Sequence, residues 1–96
     1  MESYFRGFIE QKIEDWLETN QIKEVYEILS YLQTIKVGVE DVIFGFIVAS
    51  LYDSLINLCF VHYYRVPNDN EINEFMDIIK RRTGEIKQLI NHTVNM

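Results

Sequence analysis

The chain has little with which to interrupt or cross-link itself: one proline, one cysteine, four glycines and one tryptophan in 96 residues. The lone cysteine, Cys59, excludes an internal disulfide. With no secretory n-region or cleavage pattern at the N-terminus, it predicts a reducing, cytoplasmic setting. The sequence also lacks internal repeats, low-complexity segments and the apolar/polar alternation of half-buried strands, which excludes a sheet-based fold. Cations are few as well. A net charge of −6 argues against nonspecific nucleic-acid binding and favours a basic partner.

What the chain has in excess is apolar surface. Hydrophobic residues make up 48% of it and aromatic residues 14%, more than a single small domain readily buries, so the composition leans toward self-association or a partner. The excess is concentrated in residues 40–64, EDVIFGFIVASLYDSLINLCFVHYY, a proline-free run with charges only at Glu40, Asp41 and Asp53. It is too apolar to lie on a surface. It therefore predicts a central helix around which the others pack. The run is long enough to span a membrane, but Asp53, Asn57 and His62 lie inside it and single cations, Lys36 and Arg65, flank it without an orientation bias, so no membrane is expected.

Helical spacing divides this stretch into faces. Gly45, Ala49, Tyr52, Ile56 and Cys59 share one side, where Gly45 and Ala49 would let another helix approach closely. Ser50, Asp53, Ser54 and Asn57 form a polar stripe on a different side. Followed toward the N-terminus, that stripe leads to Ile43, Phe46 and Ile47. These three are the expected interface residues of a homodimer, or of a complex with another helical protein.

On the N-terminal side, Phe5, Phe8, Ile9, Ile13, Trp16 and Leu17 recur at helical spacing, with Glu10, Glu14, Asp15 and Glu18 opposite as a candidate acidic face for a partner. A second apolar set, Ile22, Val25, Ile28, Leu29, Leu32 and Ile35, is rotated by roughly half a turn. A break with Thr19 or Asn20 as cap would turn both halves toward one core; a continuous helix would leave three helices in place of four. Gly38 marks a stop, and the short connection predicts antiparallel neighbours. Pro67 ends the central helix, Asn68 or Asp69 caps the last one, and Ile72, Phe75, Met76, Ile79, Ile86, Leu89 and Ile90 give that helix its stripe, with Thr83 in the gap and Gly84 tolerated. The expected fold is a single all-α domain, a small antiparallel bundle of four helices, or three if the first two are continuous.

Chemistry-bearing patterns are sparse. Glu71, Glu74 and Asp77, and Glu24 with Glu27, have the spacing with which helical pyrophosphohydrolases hold Mg²⁺, but acids are expected anyway in first helical turns. The Glu-x-x-His of di-iron bundles is missing at His62 and His92. Short helical bundles of the HEPN ribonuclease type carry an arginine separated from a histidine by four to six residues; the corresponding positions before His92 are Glu85, Ile86 and Lys87. Lys80, Arg81 and Arg82 point in three directions around a helix, which favours a solvated face. His62 and Cys59 fit a helix end and a core position. No catalytic residue, metal or cofactor is assigned. The sequence points to a small helical protein that acts by protein–protein interaction. An inhibitor, antitoxin or immunity-like binder of a basic partner, and a metal-dependent hydrolase, are the alternatives.

Overall fold

The computed structural model describes residues 3–32 and 38–95 and contains four helices: α1 (Ser3–Glu18), α2 (Gln21–Leu32), α3 (Val39–Tyr63) and α4 (Asp69–Val94). α1 and α2 are separate. At their junction the Thr19 hydroxyl donates to the Asp15 carbonyl at 2.6 Å and accepts from the Gln21 N–H at 3.4 Å, so a hydroxyl side chain makes the break without glycine or proline. The expected stop of α2 before Gly38, and with it Ile35 and Lys36, falls outside the described residues.

α3 starts at Gly38, whose φ of 75° is left-handed, and ends at Tyr64, whose φ of 55° lets its N–H reach the Phe60 carbonyl. A non-glycine residue in that conformation is uncommon, and the turn to Pro67 begins there. α4 is capped by Asn68. The Asn68 Oδ1 accepts from the Glu71 N–H, and Glu71 Oε1 accepts from the Asn68 N–H, both at 2.9 Å, forming a reciprocal capping box.

Ring contacts give the helix directions. Tyr4 meets His62 and Trp16 meets Phe46, so α1 runs antiparallel to α3; Tyr52 meets Phe75 and Lys87 lies over Phe44, so α4 does too. α1 and α4 are consequently parallel neighbours, as the ion pairs Arg6–Glu74 and Glu14–Arg82 also require. The core is built from Phe5, Ile9 and Ile13 of α1, Ile22 of α2, Ile43, Ile47, Leu51 and Leu55 of α3, and Phe75, Ile78, Ile86 and Ile90 of α4.

Two stripes differ from expectation. In α4 the buried line passes through Ile78, while Met76 is exposed; between Ile79 and Ile86 Thr83 is half-buried in the expected gap, and Arg82 beside it is half-buried as well. In α2 only Ile22 is fully buried. Ile28 and Leu32 face outward because this short helix lies at the edge of the bundle.

Candidate functional site

α3 carries apolar residues on most of its sides, interrupted by the stripe of Ser50, Asp53, Ser54 and Asn57, yet only part of it is covered. Residues 42, 45, 46, 49, 53, 56 and 60 follow i, i+3, i+4, i+7 spacing along one side, and Val42, Gly45, Phe46, Ala49, Asp53 and Phe60 are all exposed, with Ile56 half-buried. Phe46 is 50% and Phe60 63% exposed. Asp53 is the sole formal charge between Asp41 and Arg65. A side chain added at Gly45 would meet no atom within 4 Å, so the Gly45–Ala49 surface forms an open notch on this face. The close helix approach expected at these two residues does not occur inside the bundle.

The expected interface is corrected at two of its three positions. Ile43 and Ile47 are fully buried. The reason is geometric: they continue into Leu51, Leu55 and Leu58 at four- and three-residue steps, and this line faces the other helices. Phe46 lies at the edge, with the Trp16 ring 6.0 Å away in a T-shaped contact that leaves half of it in solvent. The outward face is thus rotated by about one residue step, roughly 100°, from the expected one, and it runs through Gly45, Ala49 and Phe60.

The polar stripe flanks this face. Asp53 and Asn57 are exposed, with the Asn57 amide donating to Asp53 Oδ2 at 3.3 Å; Ser50 and Ser54 are half-buried, and the Ser54 hydroxyl donates to the Ser50 carbonyl at 3.1 Å. Beside them, Trp16, Val25, Ile28, Phe46 and Ala49, together with the charged Lys12, Asp15 and Asp53, line an open groove between α1, α2 and α3.

The acidic face of α1 is largely engaged within the molecule. Glu10 and Glu14 both pair with Arg82 of α4, whose side chain is only 14% exposed and also bonds Glu85 at 2.9 Å. These acceptors hold the Arg82 guanidinium more firmly protonated than usual, the Glu14 bond contributing most. Of residues 80–82, Lys80 and Arg81 face solvent as expected, with Arg81 3.9 Å from Asp77, whereas Arg82 turns inward. Asp15 accepts from the Gln11 amide at 3.1 Å, and Glu18 is exposed.

The carboxylate series of α4 is divided among separate arginines. Glu71 takes a bidentate pair from Arg65 at 2.7 and 3.1 Å, Glu74 pairs with Arg6, and Asp77 with Arg81. Among the described residues no group of three His, Cys, Asp or Glu side chains is placed to share a metal ion. The Arg65 hydrogen bonds, opposed in part by desolvation, lower the Glu71 carboxyl to about 2. Cys59 is buried with its Sγ 3.7 Å from Glu71 Oε1, and burial first, then the Glu71 charge, raises its thiol. His62 is exposed near the end of α3, edge-on to Tyr4 at 5.6 Å.

α3 also has the length and composition of a membrane-crossing helix, with 33% of its most apolar window buried in the bundle. No family model matches the sequence, and no curated protein or solved structure is significantly similar to it.

Proposed function

We propose that this protein is a cytoplasmic helical interaction module without catalytic activity of its own, and that it engages a helical protein partner through the outward face of α3. One observation carries the reading: a 25-residue helix presents Val42, Phe46 and Phe60, with a single charge among them, to solvent. Fully burying such side chains is worth about 1.5–3 kcal/mol each, so leaving them half-covered forgoes roughly half of that at every position. Contiguous apolar surface of this kind on a small protein marks an interface. The acidic-helix reading has less support, since Glu10 and Glu14 are occupied by Arg82.

The test is a photo-crosslinking phenylalanine analogue placed at Phe60 and, separately, at Arg81 on the outer surface of α4, each expressed in the native host. The proposal expects a protein adduct from position 60 and none from position 81. No adduct at 60, or equal yields at the two sites, would refute it.

A further inference from the structure

Resting on the reading of the α3 face as an interaction surface, we infer that its occupant is a second copy of this chain, its α3 laid antiparallel across the first with the two-fold axis between residues 52 and 53. The face contains its own complement. Phe60, the most exposed of its phenylalanines, lies on the same stripe as the open notch at Gly45 and Ala49, about four turns along the helix. An antiparallel pair centred between Tyr52 and Asp53 sets Phe60 of each copy opposite Gly45 of the other. The same axis sets Ile56 opposite Ala49.

Charge selects the antiparallel direction. A parallel pair would bring Glu40 and Asp41 of one copy against the same two acids of the other, whereas Asp53, at mid-helix, meets its own copy in either direction and does not discriminate. The antiparallel pair moves Glu40 and Asp41 to the end that carries Arg65, and it opposes the two helix dipoles. The area is sufficient for a modest dimer. With aromatic side chains presenting about 150–250 Å² each, Phe46, Tyr52, Phe60 and Tyr64, with Val42 and the small residues between them, offer roughly 600 Å² per copy. Two copies then bury roughly 1,200 Å², at the lower edge of specific interfaces. A lipid surface fits the face less well, because acids stand at its start and middle where interfacial helices carry lysine and arginine.

Sedimentation equilibrium of the purified full chain tests this, using wild type, Gly45→Leu and Phe60→Ala. Wild type should pass from monomer to dimer across the micromolar range. Gly45→Leu fills the notch, and because nothing lies within 4 Å of the added Cβ it leaves the monomer folded by circular dichroism; it should weaken dimerisation at least about tenfold. Phe60→Ala should weaken it comparably. A wild type that stays monomeric, or a dimer untouched by Gly45→Leu, overturns the inference. Flotation of the chain with phosphatidylcholine or phosphatidylserine vesicles would also overturn it in favour of a membrane surface. A monomeric chain that still crosslinks to a different protein through position 60 would refute self-pairing while leaving the interaction reading intact.

Discussion

Arg82 of α4 donates to Glu10 Oε2 at 3.2 Å and also to Glu14, joining two helices whose connection runs through the whole of α2 and α3. It does so from a position in line with Phe75, Ile78, Ile79 and Ile86, where a bundle helix ordinarily carries an apolar residue. Removing the cation leaves two partly buried carboxylates without a counter-charge. Arg82→Leu should therefore cost about 2–3 kcal/mol in urea denaturation, below the cost of breaking a fully buried pair because both glutamates retain some solvent. Adding Glu10→Gln and Glu14→Gln should restore part of the loss. An additive further loss would show that the three side chains do not act together.

The two isoleucines and the phenylalanine that the sequence groups together should separate by stability. Ile47→Ala empties a fully buried site and should cost about 2–5 kcal/mol, whereas Phe46→Ala truncates a half-exposed ring and should cost about 1 kcal/mol in the monomer. Equal losses in denaturant titrations at low concentration would mean that the faces of α3 are wrongly assigned.

Glycine substitutions should act in opposite directions. Gly84 lies inside α4 with open space around its Cα, so Gly84→Ala should raise stability by about 1 kcal/mol. Gly38→Ala, at φ 75°, should lower it by about 1 kcal/mol. Thermal melts of the two variants beside wild type provide the check.

Acid should loosen the α3–α4 connection through Glu71. Its carboxyl titrates at about 2 when folded against an ordinary value of 4.5, so the folded state holds the carboxylate preferentially. The stabilisation is complete above about pH 4.5 and is lost as pH falls toward 2. Because Arg65 is 40% exposed, screening reduces the contribution to on the order of 1 kcal/mol. Glu71→Gln, which can still accept from the Asn68 N–H, should flatten the acid limb of stability against pH over that window. A limb of unchanged slope would contradict the assignment.

The bundle itself is legible in the sequence, because periodicity fixes which turns of α1, α3 and α4 are apolar and Asn68 and Pro67 punctuate the chain. The rotation of α3 is not legible. A helix with apolar residues on most of its sides has little amphipathic contrast to orient it, and half of its polar stripe, Ser50 and Ser54, sits half-buried, with the Ser54 hydroxyl bonded back to the Ser50 carbonyl. Arg82 was hidden for a related reason: a charged residue in a run of three cations reads as surface until its register is set by Ile78, which the seven-residue stripe through Ile72 and Met76 omits. The pairing of Arg82 with Glu10 and Glu14 depends on α1 and α4 lying parallel, a tertiary relation that spacing along one helix does not contain. At Gly45 and Ala49, small residues signal close approach without naming the molecule that approaches.

The most direct measurement is intermolecular paramagnetic broadening across the α3 face. A nitroxide at Val61→Cys, exposed beside Phe60 but off the proposed contact stripe, in a Cys59→Ala background, would be mixed with an isotopically labelled copy that carries no spin label. Selective broadening of the Gly45 and Ala49 amides of the labelled copy is the expected result. Broadening that is absent, or that falls instead on Asp77 and Lys80 of α4, would contradict the proposal that two copies meet through α3.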